Sequence, residues 1–288
     1  MEQLVSTHWQ DYALLDSGNG RKLERFGPYV LSRPEARATW TPALPSADWN
    51  NAHAEFREKG KEKGHWQIRR SMEPSWEITY RALRFRLQID RSRQIGVFPE
   101  NATHWDWIAR RIANAEQQTH VLNLFGYTGL ATLVAARAGA RVTHVDASKR
   151  AVNWARENQR LSGLQDRSVR WIVDDALKYV GREARRGVHY DGIVLDPPAF
   201  GRGPGGEVWR FEKLFPELCE ACRSVLGLAP KFVVATVYTR GMKIEQITDA
   251  VAAMVAGFGG QLNAGTLITR EQSGGRNLAN ALFVRWWV

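Results

Sequence analysis

Short apolar runs, separated by segments with helical spacing, organise the last two thirds of the chain. The run from Val121 to Phe125 has the continuous apolar character of a parallel strand buried on both faces. Two glycines follow, Gly126 and Gly129, and apolar residues then recur at helical spacing over 130–138. The pattern predicts a strand, a glycine turn and a helix, in that order.

The same unit repeats toward the C-terminus, with helix-patterned segments between apolar runs. Alternation of this kind is typical of a mostly parallel sheet, which two last strands at 265–270 and 281–288 are expected to close. The other predicted strands cover 141–145, 169–173, 192–195 and 231–237, and the helices cover 103–115, 130–138, 149–161, 176–185, 209–226 and 243–258.

The first third of the chain has a different pattern. Gly18-Asn19-Gly20 is a hairpin signal, with a returning strand expected over 25–31. Residues 53–64 are charged and glycine-punctuated, which favours an exposed helix or loop, and residues 76–89 alternate as a strand does. We therefore predict a β-rich N-terminal domain over 1–95 and a second domain over 96–288.

Polar groups end four successive strands of the predicted parallel sheet. Asn123 lies in the first, Asp146 ends the second, Asp174-Asp175 follows the third and Asp196 the fourth. The carboxyl ends of parallel strands are where open α/β sheets hold nucleotide-like ligands. Asp146 lies about 20 residues past the glycine turn, which suits a ribose hydroxyl pair. The alternative for each acid is a helix N-cap.

These motifs give the chain, from about Phe98 onward, a resemblance to class I S-adenosylmethionine-dependent methyltransferases. It resembles in particular the ribosomal RNA large-subunit methyltransferases that share an Asp-Pro-Pro-x-Phe signature, here Asp196-Pro197-Pro198-Ala199-Phe200. The resemblance implies an α/β fold, a Rossmann-like methyltransferase sheet that is mostly parallel with one antiparallel strand, and S-adenosyl-L-methionine as the cofactor.

The resemblance also implies a cofactor site. Asp146 would take the ribose hydroxyls, Asp175 with Ala176 would meet the adenine, and Phe98 would pack on the cofactor from a Gly-x-Phe loop. The residues expected to bind the cofactor are Phe98, Asn123, Phe125, Gly126, Tyr127, Thr128, Gly129, Asp146, Ala147, Ser148, Asp175, Ala176 and Asp196.

Asp196, Pro197 and Phe200 are the residues expected to carry the reaction. The lone pair of a planar amine is delocalised, so two acceptors aimed at its hydrogens, the Asp196 carboxylate and the Pro197 carbonyl, would favour a nucleophilic nitrogen. Phe200 would stack on a flipped base. The plain alternative is a strand that two prolines terminate.

The two cysteines decide between two chemistries. Methylation of cytosine C5 needs a thiolate, which relatives carry just after strand five, whereas residues 233–240 hold no cysteine. Cys219 and Cys222 lie in a predicted helix and are interpreted as buried thiols. N-methylation of a nucleobase is therefore favoured. The alternatives are a C5 enzyme with a relocated cysteine, a protein methyltransferase and a catalytically silent RNA-binding factor. An NAD-dependent oxidoreductase is disfavoured because the turn after the first strand carries Gly-x-x-Gly, at residues 126–129, and not Gly-x-Gly-x-x-Gly.

Charge indicates the partner. The formal net charge is +10 with a pI of about 9.9, and residues 57–93 hold eleven Lys or Arg against five Asp or Glu. This surplus favours a polyanion, and with the resemblance it predicts an RNA substrate, ribosomal RNA in particular. The alternatives are a generally basic protein for the charge, and a small core rather than base stacking for the five tryptophans between residues 9 and 76.

The remaining expectations concern the setting of the protein. The first twelve residues lack a signal-peptide core, no apolar run is long enough to cross a bilayer, and the cysteines form no disulfide framework. We expect a cytoplasmic protein with no membrane partner and no metal site. The sequence does not set an oligomeric state.

Overall fold

The computed structural model of the protein describes residues 1–6, 9–59, 64–239 and 241–288. These residues form two compact units. The first comprises Met1–Leu4, Ala102–Leu267 and Ala281–Val288, and the second comprises Val5–Asn101 and Ile268–Asn280.

The strands and helices are numbered here along the chain. The described strands are β1 (Glu2–Val5), β2 (Tyr12–Gly18), β3 (Arg21–Phe26), β4 (Tyr29–Pro34), β5 (Ala54–Glu58), β6 (Gly64–Ile68), β7 (Ser75–Tyr80), β8 (Leu83–Gln88), β9 (His120–Leu124), β10 (Arg141–Asp146), β11 (Val169–Val173), β12 (Gly192–Leu195), β13 (Phe200–Arg202), β14 (Val208–Arg210), β15 (Phe232–Val237), β16 (Gln261–Arg270) and β17 (Asn277–Trp287). The described helices are α1 (Ser46–Asn50), α2 (Ala102–Ala113), α3 (Leu130–Arg137), α4 (Lys149–Leu161), α5 (Ala176–Arg185), α6 (Phe211–Arg223) and α7 (Ile244–Val255).

The first unit is built on an eight-stranded sheet with the order β1-β16-β17-β15-β12-β9-β10-β11. β12 pairs in parallel with β9 and β15, and β10 pairs in parallel with β9 and β11. β17 runs antiparallel to β15. This is the predicted methyltransferase-like sheet, and the fold class is confirmed.

The central strands are mostly apolar because both of their faces are covered. Leu122 and Leu124 of β9 belong to a core cluster that also includes residues of α5, α6 and α7. Val121 of β9 and Val194 of β12 point to the opposite face, where α2 and α3 cover them. Side chains alternate along a strand, so each strand contributes to both clusters. The strand ends are thereby left as the places where polar groups can gather.

The second unit is β-rich, with a five-stranded sheet in the order β2-β3-β4-β5-β6 and a separate β7–β8 hairpin. Asn19 and Gly20 have positive φ angles of 50° and 74° between β2 and β3, as the hairpin signal predicted. The segment 25–31 does not form one strand, because the chain turns at Gly27, where φ is 60°, between β3 and β4.

Two other predictions for this unit need correction. Residues 54–58, expected in an exposed helix or loop, form β5, whose Ala54 and Phe56 are buried on one face. The rest of that segment, residues 60–63, lies outside the described residues. The predicted strand over 76–89 is a hairpin that turns at Arg81, where φ is 50°.

The five tryptophans of the second unit favour the core interpretation over base stacking. Trp9 and Trp76 are buried, and the other three are partly buried. Each indole N–H donates a hydrogen bond inside the unit, as buried tryptophans usually do. The acceptors are the carbonyls of Thr79 for Trp9, Ser17 for Trp40, Ser92 for Trp66 and Phe26 for Trp76, and the carboxylate of Asp16 for Trp49.

Within the described residues, no helix is both long enough and apolar enough to cross a membrane.

Candidate active site

The carboxyl ends of β9, β10, β11 and β12 form one edge of the sheet, here called the carboxyl edge. Leu124 at the end of β9 is in register with Leu195 of β12 and with Val145 of β10, and Asp146 is in register with Val173 of β11. Each strand therefore delivers the residues that follow it to the same edge. The glycine turn and the predicted acids after residues 145, 173 and 195 are gathered there.

The turn after β9 is held in an unusual backbone conformation. Phe125 and Tyr127 have positive φ angles of 57° and 49°, and Gly129 has a φ of 86°. Non-glycine residues in this region cost about 1–3 kcal/mol each and concentrate at functional sites. Residues with positive φ alternate here with Gly126, whose φ is not positive, so successive peptide groups point in different directions. The Tyr127 N–H points at the next strand, where it donates to the Asp146 carboxylate.

Gly126 is required because a buried histidine lies directly against it. A Cβ at this position would lie 2.4 Å from Cε1 of His144. The His144 ring is fixed by Thr132, whose Oγ1 lies 2.9 Å from Nδ1, and by Trp171, whose ring centroid is 4.7 Å away. Burial lowers the pKa of His144 to about 3, so the ring is neutral at physiological pH.

Asn123 supports the turn from beneath. Its side chain is buried, and its Nδ2 donates to Thr132 Oγ1 at 2.8 Å. Asn123, Thr132 and His144 thus form a buried polar chain under the turn. Thr132 and His144 could not be recognised from the sequence, since a lone threonine and a lone histidine in apolar segments carry no motif.

Asp146 is held rigidly at the end of β10. Its Oδ2 accepts the Tyr127 N–H at 2.9 Å, and its Oδ1 accepts the Ser148 N–H at 2.8 Å. Burial raises its pKa, and these two hydrogen bonds oppose that rise. Each carboxylate oxygen has a second lone pair, so this fixed group can still accept from a pair of hydroxyls. Ala147 is half-buried, and Ser148 caps α4 by accepting the Ala151 N–H at 3.2 Å.

The acids after β11 divide their roles. Asp174 forms an ion pair with Arg182 and accepts the Asp175 N–H, so both of its oxygens are engaged. Asp175 caps α5 through Oδ1, which accepts the Lys178 N–H at 3.0 Å. The N-cap alternative is thus present at Asp175, and none of the described residues donates a hydrogen bond to its Oδ2. Val173, just before this pair, exposes 40% of its surface and was not among the predicted site residues.

The remaining predicted cofactor residues occupy distinct environments. Thr128 is buried, and its carbonyl accepts from Asn158 Nδ2 at 2.9 Å, whereas the Tyr127 ring lies 6.3 Å from that of Trp154. Ala176 is buried at the first position of α5. Phe98 is half-buried and belongs to the second unit, whereas the rest of this set belongs to the first.

The loop after β12 is Asp196-Pro197-Pro198-Ala199-Phe200, and it lies beside the glycine turn. The Asp196 N–H reaches the Leu124 carbonyl at 3.4 Å, and Oδ1 of its carboxylate is buried. Pro197 is buried, whereas Phe200 exposes 50% of its surface. A half-buried acid and an exposed aromatic ring are therefore presented four residues apart.

A hairpin that the sequence analysis missed holds this loop in place. Residues 200–202 and 208–210 pair as β13 and β14, and α6 begins only at Phe211 rather than at Trp209 as predicted. Trp209 is buried; its indole N–H donates to the Pro198 carbonyl at 2.7 Å, and its ring lies 4.8 Å from the ring of Phe125. One side chain thus contacts both the Asp-Pro-Pro loop and the glycine turn.

Changing Trp209 to phenylalanine is expected to lower kcat about fivefold while the dissociation constant of the cofactor stays within about twofold. The aromatic contact with Phe125 survives, but the Pro198 carbonyl loses its donor, a loss on the scale of one hydrogen bond of about 1 kcal/mol. Steady-state kinetics and calorimetry measure the two quantities. An equal loss in kcat and in cofactor affinity would show that Trp209 acts only on the glycine turn.

Three features of the structure suit a nucleoside cofactor. The glycine turn is packed so closely on His144 that position 126 has no room for a Cβ, Asp146 offers a fixed acceptor pair, and Asp175 and Val173 offer an acceptor beside an exposed apolar surface. Among the described residues, no group of three or more His, Cys, Asp or Glu side chains is arranged to hold a metal ion. The fold and these residues together define a doubly wound α/β protein whose carboxyl edge holds groups that suit a nucleoside cofactor.

Comparison with known proteins identifies the family. The sequence profile of the S-adenosylmethionine-dependent methyltransferases matches residues 11–227, so the chain belongs to this family, and S-adenosylmethionine is the cofactor that defines it. The crystal structure of a SAM-dependent methyltransferase from Agrobacterium tumefaciens superimposes with a TM-score of 0.96 at 41% identity, covering 100% of this chain and 93% of that one.

More distant relatives share the fold or part of the sequence. A candidate SAM-dependent methyltransferase from Streptococcus mutans matches with a TM-score of 0.74 at 16% identity, over 97% of this chain and 76% of that one, and this shows the fold alone. The ribosomal RNA large subunit methyltransferase K/L of Shewanella baltica is 32% identical over 163 residues, which are 55% of this chain and 22% of that protein. The chain thus spans about a fifth of the length of the curated relatives it matches.

Proposed function

We propose that the protein transfers a methyl group from S-adenosylmethionine to an amino nitrogen of a nucleobase in RNA, ribosomal RNA in particular. The observation that carries this proposal is the position of Asp196. Its strand, β12, lies next to β9, so its carboxylate and the Pro197 carbonyl follow directly beside the cofactor turn.

Asp196, Pro197 and Phe200 have only to position the target amine and stabilise the charge that develops on it. S-Adenosylmethionine supplies an electrophilic methyl group on a sulfonium sulfur. The Asp196 carboxylate and the Pro197 carbonyl accept the hydrogens of the target amine and hold its lone pair toward the methyl carbon. The new N–C bond would replace the methyl–sulfur bond, with S-adenosylhomocysteine as the neutral leaving group. The nitrogen would then be positively charged, and Asp196 would stabilise that charge and take the released proton. Phe200, exposed at the end of the loop, stacks on the extruded base.

The cysteines support N-methylation over the covalent C5 route. Cys219 and Cys222 lie in α6, both buried in the core cluster of the first unit. Burial raises the pKa of Cys219 to about 12 and raises that of Cys222 as well. A thiol with so high a pKa supplies almost no thiolate at neutral pH. The chain has no other cysteine.

Replacing both Cys219 and Cys222 by serine is expected to leave kcat within about threefold of the wild type, because neither thiol takes part in a step. RNA containing 5-fluorocytosine is the direct probe, since a C5 enzyme would be trapped on it as a covalent adduct. We expect no adduct by denaturing electrophoresis and mass spectrometry. A stable crosslink to either cysteine would overturn the N-methylation proposal in favour of C5 chemistry.

An RNA substrate is supported by charge and by the relatives. The net charge is +10, and the curated relatives are named as ribosomal RNA methyltransferases. On the β7–β8 hairpin, Arg81 and Arg84 are exposed. In this proposal residues 1–95 contribute RNA affinity and residues 96–288 contain the catalytic domain. Such binding weakens steeply with salt, because it releases counterions from the phosphates.

A further inference from the structure

The β13–β14 hairpin, residues 200–210, has two faces of opposite character. Directly paired residues of antiparallel strands point to the same face, and the register pairs Phe200 with Arg210, Gly201 with Trp209, and Arg202 with Val208. Gly201 and buried Trp209 therefore form the inner face. Phe200, Arg210, Arg202 and Val208 share the outer face.

The outer face is exposed and mixes apolar with cationic groups. Phe200 exposes 50% of its surface and Val208 44%, which is unusual for large apolar residues beside a site. Arg202 and Arg210 are exposed as well. In the described part of the chain neither guanidinium forms an ion pair with a carboxylate, so both charges remain available to a partner.

The hairpin is held by hydrogen bonds at both ends, despite its four glycines. At the tip, the Gly203 N–H donates to the Glu207 carbonyl at 2.8 Å, the Gly205 N–H donates to the Glu207 carboxylate at 2.9 Å, and Lys178 of α5 pairs with the same carboxylate. At the base, the Phe211 N–H donates to the Ala199 carbonyl at 3.1 Å. A rigid surface of this kind loses little entropy when it binds a partner.

We propose that the outer face of this hairpin is a docking platform for unpaired RNA nucleotides next to the target base. Phe200 stacks on the target base, Val208 contacts the face of the neighbouring unpaired base, and Arg202 and Arg210 bind the phosphates between them. Aromatic and apolar surface flanked by arginines is the combination that holds single-stranded nucleic acid without reading its sequence. The proposal rests on the proposed function, since it takes the RNA held here to be the substrate of Asp196.

The inner face explains why docking at this platform would serve catalysis. Trp209 contacts the Pro198 carbonyl and the Phe125 ring, so the hairpin carrying the platform is joined to both the Asp-Pro-Pro loop and the cofactor turn. A strand of RNA held on the outer face would place the preceding or following nucleotide at the Asp196 carboxylate. The platform therefore selects an unpaired segment of RNA as the substrate.

The test compares two matched double variants in the full-length protein. Arg202→Gln with Arg210→Gln removes the two platform charges. Arg160→Gln with Arg167→Gln removes two exposed charges that lie near the start of β11, at the opposite edge of the sheet. Fluorescence anisotropy follows binding of a 12-nucleotide unpaired RNA of mixed sequence and of a 12-base-pair RNA duplex, in the presence of S-adenosylhomocysteine.

The platform variant is expected to bind the single strand at least tenfold more weakly, with a plot of log affinity against log salt that is less steep by about 1.4, the value for two phosphate contacts on a single strand. The control variant is expected to stay within twofold, with an unchanged slope. Phe200→Ala is expected to weaken single-strand binding about fivefold or more and duplex binding less than twofold, because only unpaired bases can stack. Calorimetry with S-adenosylhomocysteine verifies that each variant is folded.

Equal losses in the platform and control variants, or a duplex bound as tightly as the single strand, would overturn the platform. Methylation of RNA by a platform variant with undiminished single-strand affinity would overturn it too, while leaving the proposed function intact. Conversely, a platform confirmed by binding in a protein that methylates no RNA would remove the proposed function alone.

Discussion

Replacing Asp196 by asparagine is expected to lower kcat by about a hundredfold or more while the dissociation constant of the cofactor stays within about threefold. Asparagine keeps the size of the side chain and one acceptor oxygen. It loses the negative charge that stabilises the developing cation, and it can present a donor to an amine that needs an acceptor. The expected loss is on the scale of one positioned polar group in an active site, about 2.7–4 kcal/mol.

A control for the Asp196 variant lies elsewhere in the same unit. Asp166 is exposed at the opposite edge of the sheet, shortly before β11, so Asp166→Asn is expected to leave kcat and cofactor affinity unchanged. Single-turnover measurements with saturating cofactor separate methyl transfer from product release. A kcat for the Asp196 variant within tenfold of the wild type would show that Asp196 takes no part in the reaction and has only a structural role in its loop.

Replacing Gly126 by alanine is expected to weaken cofactor binding at least tenfold, about 1.4 kcal/mol. The added Cβ would lie 2.4 Å from the His144 ring, which Thr132 and Trp171 hold from other directions. Relief requires the turn to move. Forcing an extra carbon into packed surroundings typically costs 1–3 kcal/mol. Isothermal titration with S-adenosylmethionine measures the loss of affinity. Thermal unfolding shows how much the substitution also lowers the stability of the protein.

The explanation for Gly126 is tested by making room for the new carbon. His144→Ser leaves the Asn123–Thr132 hydrogen bond in place and removes the ring that the Cβ would meet. The double variant is expected to bind the cofactor more tightly than Gly126→Ala alone, with a coupling of about 1 kcal/mol or more in the double-mutant cycle. Additive losses would show that the ring is not the cause.

The parts of the site that could be predicted are those that local patterns encode. A strand buried on both faces is mostly apolar, so Gly192–Leu195 and, despite Asn123, Val121–Phe125 were recognisable. The polar residue that follows such a strand lies at the carboxyl edge, which explains why Asp146 and Asp196 could be placed beside the glycine turn. The resemblance to methyltransferases then supplied the cofactor, and the family match confirmed it.

The parts that could not be predicted depend on contacts between distant segments. Trp209 looked like the first residue of a helix because the helical spacing of Phe211, Phe215 and Leu218 begins directly after it. Its membership of β14 is decided by pairing with Gly201, and its function by contacts with Phe125 and Pro198. No motif announces such contacts.

The same limit applies to the second unit and to the buried chain under the turn. β5 is charged along its exposed face, and only its pairing with β4 and β6 makes it a strand. His144 looked like a polar interruption of β10. Its contacts with Gly126 and Thr132 come from segments 18 and 12 residues away, so sequence spacing alone gave no sign of them.

The most direct test of the account is to identify the methylated product. Purified protein is incubated with S-adenosylmethionine carrying an isotopically labelled methyl group and with ribosomal RNA from a strain that lacks the gene. The RNA is then digested to nucleosides for mass spectrometry. We predict that the label appears on an amino nitrogen of one nucleoside, and that the Asp196→Asn variant abolishes most of it. Label on cytosine C5, label on protein alone, or no transfer to RNA from an intact, cofactor-binding enzyme would contradict the account.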